Sequence, residues 1–233
     1  MTPRRSDLDA VTFDAMGTIL TLADPVPRLR RALAQHLGLD VSLDRCQVAM
    51  QAEIRHYRAI CHRADTRPAL AAVRLECAGV LAASLPAELD AGAVLPCLTD
   101  AIAYLAYPDA AAVLERLRAS GLAIGVVSNW DVSLHDALER IGLAPLVDAV
   151  VTSAETGSSK PDPVMFERAG ELLGARPHRI LHVGDDPEGD VDGARAAHVH
   201  AVLLAREGTL ATRRPRIATL LELPALLDLD HAA

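Results

Sequence analysis

Short apolar runs rich in β-branched residues alternate with segments of helical period along much of the chain. Each run is four to six residues long, and most runs end at a cluster of polar residues. Strands that alternate with helices in this way are typical of βαβ units, whose strands lie parallel in one sheet. The pattern predicts an α/β protein with a parallel sheet, and the runs are Ala10–Phe13, Leu122–Val127, Ala149–Thr152, Ile180–Val183 and Ala201–Leu204.

One of the intervening helices has well-marked ends. Asp109 is expected to cap its N-terminus, because aspartate side chains accept hydrogen bonds from the first free backbone amides of a helix. Gly121 is expected to end it, since glycine readily adopts the left-handed conformation found after helices. The apolar face between them would consist of Val113, Leu114 and Leu117, which recur at helical spacing.

A long stretch of different character separates the first apolar run from the second. From about Thr21 to Tyr107 the apolar residues recur with helical period only. The simplest explanation is a helical insertion after the first strand. We therefore predict a core made of residues 1–20 and 106–233, and a helical domain made of residues 21–105.

Composition narrows the possible partners and locations. The formal net charge of −8 argues against nucleic acid or an anionic membrane surface as the main partner. No segment reaches the ~18 consecutive apolar residues of a membrane span, and the first ten residues lack the apolar region of a secretory signal. The four cysteines form no CxxC or Cys/His metal pattern, which is typical of reduced thiols in a cytoplasmic protein.

Polar residues whose side chains can bind ligands or react follow the predicted strands. Asp14 follows the first run, Ser128 and Asn129 follow the second, and the loop after the third reaches Lys160. The fourth run ends in a group of acidic residues: Asp185, Asp186 and Asp190. Since ligands of open parallel sheets bind at the carboxyl ends of the strands, these side chains are expected to share one site.

Each of these residues alone has an ordinary structural explanation, and the combination suggests a particular chemistry. Asp14 could be a turn residue, Ser128 a capping hydroxyl and Lys160 a solvated loop side chain. Together, an aspartate can attack phosphorus and form an aspartyl-phosphate that water later hydrolyses. A Mg²⁺ ion held by oxygen ligands such as Asp14 and Asp185 would neutralise the approaching anions, while Lys160 and Ser128 would bind the phosphoryl oxygens.

Four segments resemble the motifs of the haloacid dehalogenase superfamily of aspartate-nucleophile hydrolases. FDAMGTIL resembles motif I, GVVSNWD motif II, SSKPDPVMF motif III, and HVGDDPEGDVDGARAA motif IV. Their order and spacing agree over the whole chain, and the helical insertion lies where the C1-type cap of this superfamily lies. The resemblance implies a Rossmann-like core with a helical cap. The motifs specify the superfamily much more closely than the substrate.

The resemblance also implies roles for the residues around the reacting group. Asp14 would be the nucleophile, and Thr18 would support the loop that follows it. Ser128, with the backbone of Asn129, would bind the phosphoryl group, and Lys160 would neutralise its charge.

A magnesium site follows from the same resemblance. Asp14 and Asp185 would be direct ligands, and Met16 would offer its backbone carbonyl oxygen. Asp186 and Asp190 would hold the water molecules of the metal or fix the loop.

Met16 is the one departure from the pattern. Phosphatases of the superfamily usually have a second aspartate two residues after the nucleophile, which protonates the leaving oxygen and then activates water. A methionine side chain can do neither, and loss of general acid–base help typically costs ~10²–10⁴ in rate. Dehalogenases of the superfamily also lack this aspartate and bind no metal, because halide leaves unprotonated.

Three functions remain open from the sequence. The first is Mg²⁺-dependent hydrolysis of a small phosphomonoester, which the acidic motif IV favours. The second is metal-independent hydrolysis of a 2-haloacid, which Met16 favours. The third is a phospho-ligand or partner-binding protein with weakened turnover. The substrate and the oligomeric state are left open.

Overall fold

The structure is a computed structural model that describes residues 3–86, 88–206 and 215–229. Residues 1–2, 207–214 and 230–233 of the predicted core, and Ala87 of the predicted insertion, therefore lie outside the described residues. The chain divides into two compact units. The first consists of Met1–Thr21, Ala106–Asn129 and Leu134–Ala233, and the second of Leu22–Leu105 and Trp130–Ser133.

Eight strands are present among the described residues. In chain order they are β1 Ala10–Phe13, β2 Leu20–Leu22, β3 Tyr104–Ala106, β4 Ala123–Ser128, β5 Ala149–Thr152, β6 Ile180–Gly184, β7 His200–Leu204 and β8 Arg216–Ile217. The five predicted strands are all present, and their bounds differ from the prediction by at most one residue. β2, β3 and β8 were not predicted, because strands of two or three residues are too short to show a period.

The helices account for most of the remaining chain. The α-helices are α1 Pro25–Leu37, α2 Leu43–Ile60, α3 Arg67–Ala83, α4 Ala91–Ala101, α5 Ala110–Ala119, α6 Leu134–Arg140, α7 Ser153–Thr156, α8 Val164–Leu173, α9 Gly193–Ala196 and α10 Leu223–Leu226. Single turns of 3₁₀-helix occur at Arg5–Asp7, Cys61–Arg63, Ala144–Leu146, Pro177–Arg179 and Leu220–Glu222, and Pro187–Asp192 forms a π-helix.

The first unit is built on a six-stranded sheet in the order β5-β4-β1-β6-β7-β8. All of its strand pairs are parallel, which confirms the predicted α/β fold class. β1 lies between β4 and β6, and all four of its residues are buried. This burial on both faces explains why its sequence is a continuous run rather than an alternation of apolar and polar residues.

The register of the central strands determines which polar residues come together. Phe13 at the end of β1 lies beside Val126 of β4 and Val183 of β6. The chain segments that follow these three residues therefore leave the sheet at the same edge. Asp14 follows Phe13 directly, Asp185 follows Gly184 at the end of β6, and β4 itself ends at Ser128.

The predicted helix after Pro108 is α5, and its cap differs from the prediction. Val113, Leu114 and Leu117 are buried as expected. Asp109 occupies the N-cap position, yet its side chain makes no capping hydrogen bond. Its carboxylate instead accepts hydrogen bonds from Arg206 and from the segment that follows β8.

The second unit contains α1–α4 around an apolar core of its own. Cys46, Cys77 and Cys97 are buried in it as free thiols. The short segment Trp130–Ser133 belongs to this unit through specific contacts. The Tyr57 hydroxyl donates to Asp131 at 2.7 Å, the Val132 amide donates to the Ala64 carbonyl at 3.0 Å, and the Tyr104 and Trp130 rings meet edge to face.

The length and hydropathy of the helices can be compared with those of membrane-spanning helices. Within residues 3–86, 88–206 and 215–229, no helix combines the length and the apolar character that crossing a bilayer requires.

Candidate active site

Asp14 is the buried centre of the polar site at the sheet edge. It follows β1 directly, and its backbone amide donates to the Val183 carbonyl at 2.9 Å, which extends the pairing of β1 with β6 by one residue. Its Oδ1 atom accepts hydrogen bonds from Ser128 Oγ at 3.0 Å and from Lys160 Nζ at 2.5 Å. These two donors fix the rotation of the carboxylate.

Lys160 lies at the centre of a buried charge network. Its Nζ atom donates both to Asp14 Oδ1 and, at 2.6 Å, to Asp190 Oδ1. The peptide bond between Lys160 and Pro161 is cis. A solvated lysine, the ordinary explanation for a single loop residue, is thus excluded by the burial of this side chain.

Asn129 contributes to the site through its side chain. Its Nδ2 atom donates to the Lys160 carbonyl at 3.1 Å, and its Oδ1 atom accepts from the Lys160 amide at 2.7 Å. Both hydrogen-bonding groups of the amide thereby hold the backbone of the lysine loop beside β4. These side-chain contacts add to the backbone role that the sequence resemblance implies for Asn129.

An acidic group lies beside Lys160. Asp14, Asp185 and Asp190 each offer a carboxylate oxygen, and these atoms all lie within 4.8 Å of one another. Asp190 is buried and also accepts from the Asp186 amide at 2.9 Å, whereas Asp185 is exposed. Asp186 is not a member of this group; its carboxylate caps the following π-helix by accepting from the Glu188 amide at 3.0 Å.

His182 connects the acidic group to the interior of the sheet. The ring is fully buried, with Nδ1 2.9 Å from Thr12 Oγ1 and Nε2 3.2 Å from Asp190 Oδ1. Both ring nitrogens therefore have partners, and the ring of Phe166 meets the imidazole edge to face. The position of His182 inside an apolar strand favours a core histidine with a hydrogen-bonded ring, as the structure shows, but its pairing with Thr12 and Asp190 was not predicted from the sequence.

The pKa values reflect the crowding of charges. Burial raises the pKa of Asp14 to about 6; the Lys160 ammonium opposes this rise and the Asp190 carboxylate adds to it. For Asp190, burial favours the neutral form, but Lys160 and His182 outweigh it and lower the pKa. Burial would lower the pKa of Lys160, yet its two carboxylate partners raise it.

The charge balance of the site fits a divalent cation. Three ionised carboxylates and one ammonium group leave two negative charges in a mostly buried space. Carboxylates so close together repel one another unless a cation offsets them, and hard oxygen ligands suit Mg²⁺. The residues present therefore fit the metal that the sequence suggested.

The loop after Asp14 contains Met16, Gly17 and Thr18. The Met16 side chain is half-buried, and Met16 forms an isolated parallel bridge with Leu20. Gly17 has a φ of +85°, and a Cβ atom there would overlap the Asp185 carboxylate. Thr18 is fully buried, and its Oγ1 atom has no hydrogen-bond partner among the described residues. A buried hydroxyl without a partner calls for an explanation such as water or a ligand.

The fold and the strand-end carboxylates define an α/β protein with a parallel sheet and a polar site at the carboxyl ends of its strands. A family model described as haloacid dehalogenase-like hydrolase matches residues 8–198, which is most of the chain. The chain belongs to this family.

The proteins similar to this chain include phosphatases, and a dehalogenase shares its fold. The chain is 42% identical over 97 residues to a ribulose-1,5-bisphosphate 5-phosphatase from Halopiger xanaduensis, a match that covers 41% of each chain. A phosphatase structure from Thermococcus onnurineus aligns with a TM-score of 0.64 and 26% identity over 94% of this chain and 98% of that one. A 2-haloacid dehalogenase structure from Pseudomonas syringae aligns with a TM-score of 0.66 over 95% and 99%, but its 23% identity shows the fold alone.

The curated sequence relatives match only part of their own length. The first two are covered over 38% and 41% of their chains. The matches therefore show a shared family and establish neither an activity nor a substrate for this chain.

Proposed function

We propose that the protein hydrolyses a small phosphomonoester with Asp14 as the nucleophile and Mg²⁺ as the cofactor. The observation that carries this proposal is the buried Asp14–Lys160–Asp190 network beside Asp185, whose two surplus negative charges match a divalent cation. The phosphatase names of relatives support it as well. The helical unit would serve as the cap of this family, and the substrate would be a small molecule rather than a nucleic acid.

In the first step, Asp14 attacks phosphorus. Because Ser128 and Lys160 hold Oδ1, the second carboxylate oxygen is the one available to form the bond. The phosphorus–oxygen bond to the leaving group breaks, and that oxygen departs with the bonding electrons and takes a proton from solvent water or from a substitute acid of the protein. Water then attacks the aspartyl-phosphate, which releases phosphate and restores Asp14.

Electrostatic neutralisation is the main task of the surrounding residues. Lys160 would turn part of its hydrogen bonding toward a phosphoryl oxygen, and the Ser128 hydroxyl, which has one proton to donate, would turn from Asp14 Oδ1 to another phosphoryl oxygen. The buried Thr18 hydroxyl, which has no hydrogen-bond partner among the described residues, would support the loop by binding water or substrate. Asp14, Asp185 and the Met16 carbonyl would hold Mg²⁺, with Asp190 and Asp186 fixing its surroundings. The bound metal would supply positive charge as the two anions approach.

The missing acid at position 16 limits the rate. Two candidates for a substitute proton donor on the first unit are His135 and Glu155, whose side chains lie 3.2 Å apart. Glu155 also accepts from the Thr152 hydroxyl at 2.6 Å, at the end of β5. A substrate with a good leaving group would need no such donor.

A second function is favoured by Met16. A metal-independent dehalogenase would use Asp14 to displace halide from carbon, and it would need no acid beside the nucleophile. The acidic group of Asp14, Asp185 and Asp190 favours the phosphatase, because a metal-free reaction has no use for three close carboxylates.

A substrate panel separates these functions. We expect release of phosphate from at least one phosphomonoester with Mg²⁺, loss of that activity in EDTA, and its return when Mg²⁺ is restored. Phosphate and halide assays on the purified chain measure both outcomes. Halide release from 2-haloacids in EDTA, without phosphatase activity, would instead establish the dehalogenase. A chain that binds phosphate with Mg²⁺ but turns over neither class would be a binding protein.

Gly17→Ala tests the metal site without using activity. The substitution should cost ~1–2 kcal/mol from the left-handed backbone conformation alone. Gly142→Ala is the matched control, because Gly142 has a φ of +76° and open space around its Cβ position. In EDTA the two variants should lose similar stability, since the exposed Asp185 side chain can turn away.

The difference should appear when Mg²⁺ is added. Millimolar Mg²⁺ should raise the unfolding temperature of the wild type and of Gly142→Ala, because a ligand that binds only the folded state stabilises it. Gly17→Ala should gain clearly less, since its Asp185 carboxylate is displaced. Equal gains in all three proteins would contradict the assignment of Asp185 as a ligand.

A further inference from the structure

Arg206 lies directly against the backbone of the loop that follows the nucleophile. The residue comes shortly after β7, far from motif I in sequence. Its Nη2 atom donates to the Thr18 carbonyl at 2.7 Å, and its Nε atom donates to the Gly17 carbonyl at 3.3 Å. Two successive carbonyl groups of the loop are thus held by one side chain.

The guanidinium group is itself held in place from other directions. Its Nη1 and Nη2 atoms donate to the two carboxylate oxygens of Asp109 at 3.0 Å and 2.9 Å, and its carbon lies 3.8 Å from the centre of the Tyr107 ring. Such paired hydrogen bonds fix the orientation of an arginine more strictly than a single contact does. Arg206 is therefore a rigid support.

Asp109 in turn is anchored by other parts of the unit. It is buried, and it accepts from the Thr219 hydroxyl at 2.7 Å and from the Leu220 amide at 3.0 Å. Burial favours its neutral form, but the hydrogen bonds from Arg206, Thr219 and Leu220 outweigh that and lower its pKa. The support of the loop thus extends to the segment after β8.

The loop has a shape that transmits a shift at Gly17 to Asp14. The Ala15 carbonyl accepts from the amides of Ile19 and Leu20, both at 3.0 Å, so the turn is closed tightly behind the nucleophile. Gly17 must also stay close enough to Asp185 that no Cβ atom fits between them. A displacement of the Gly17 and Thr18 carbonyls would therefore move the turn behind Asp14 and also the backbone beside Asp185.

We propose that Arg206 is a positioning residue that holds the nucleophile loop in its reactive geometry. It contacts no reacting atom and acts only through the backbone of Gly17 and Thr18. The catalytic part of this inference rests on the proposed function, whereas its structural part does not.

The test compares Arg206→Gln and Arg206→Lys with Arg179→Lys. Arg179 is a matched control on the same unit, because it also pairs with both oxygens of an aspartate, Asp9, at 2.6 Å and 2.8 Å. It makes no hydrogen bond to the loop after Asp14 among the described contacts. Arg206→Lys keeps the positive charge and can be measured if Arg206→Gln fails to fold. Its single ammonium group cannot donate to two carbonyls and a carboxylate at the same time.

Two readouts are measured on each variant. Hydrogen exchange of the amides of residues 15–20 should become faster in both Arg206 variants, while β6 stays protected as in wild type. With an active phosphomonoester, kcat should fall ~10- to 100-fold, as for a misplaced catalytic group, with KM within about twofold. Arg206→Lys should retain more activity than Arg206→Gln, and Arg179→Lys should match the wild type in both readouts.

The outcomes are distinct. Unchanged exchange in residues 15–20, or faster exchange with unchanged kcat, would overturn the inference. Arg206 variants that lose no more activity than Arg179→Lys would overturn it as well. A wild type that is inactive on phosphomonoesters and haloacids would refute the proposed function but not the role of Arg206. The exchange measurement would then decide whether Arg206 orders the loop.

Discussion

Replacement of Asp14 by asparagine is expected to abolish turnover, with a loss of at least about 10⁴-fold in kcat, the size seen when a nucleophile is removed. Asparagine has nearly the same shape, and its oxygen can still accept from Ser128 and Lys160 in place of Oδ1. Its amide nitrogen cannot attack phosphorus or carbon as a carboxylate does. Steady-state kinetics on the best substrate of the panel measure the loss.

The control for this variant is Asp9→Asn. Asp9 precedes β1 and pairs with Arg179 on the surface, so its replacement tests the loss of a carboxylate near the same strand. It should leave kcat unchanged. Burial raises the pKa of Asp14 to about 6, so keeping this carboxylate ionised at neutral pH lowers the free energy of unfolding. Asp14→Asn removes that penalty, and its unfolding temperature should be no lower than that of Asp9→Asn. Substantial turnover by folded Asp14→Asn would refute both the phosphatase and the dehalogenase.

Replacement of Met16 by aspartate is expected to raise phosphatase activity by ~10²–10⁴, the usual contribution of a general acid–base. The side chain at position 16 is half-buried in the loop that begins at Asp14, two residues after the nucleophile. An acid there would protonate the leaving oxygen and then take a proton from the attacking water. The gain should be largest for substrates with poor leaving groups, which a series of aryl and alkyl phosphates can measure.

Met16→Asn is the matched control for this gain. It has the shape and polarity of aspartate but cannot carry the proton, so it should leave the rate near that of the wild type. Equal rates for the aspartate and asparagine variants would show that a proton donor at position 16 is not what the site lacks. A substitute donor such as His135 or Glu155 would then be the next residue to replace.

The fold followed closely from the sequence because its strands are buried on both faces. Five strands of the sheet are apolar runs that stand out from their surroundings, and the polar residues after them reveal the functional edge of the sheet; these strands are β1, β4, β5, β6 and β7. β2, β3 and β8 have no such contrast, since they are two or three residues long. The same reasoning placed Asp14, Ser128, Lys160 and Asp185 at one site before any distance was known.

The supporting contacts could not be predicted in the same way. Asp109 has the sequence context of a helix cap, yet its carboxylate pairs with Arg206, 97 positions later in the chain. The pairing of Asn129 with the Lys160 backbone spans 31 positions. Such contacts depend on which loops meet after folding, and no local period or propensity records them. The roles of the individual site residues stay predictions until the variants are measured.

The composition of the helical unit restricts how it can be exchanged between proteins. Because Trp130–Ser133 belongs to it along with Leu22–Leu105, the unit is not one continuous stretch of chain. A chimera that replaced Leu22–Leu105 alone would separate Tyr57 from Asp131 and Ala64 from Val132. Any transplant of this unit, whether by gene shuffling in evolution or by design, must therefore carry two segments together. The second of them begins directly after Asn129, so one junction of such an exchange falls beside a residue that holds the Lys160 backbone.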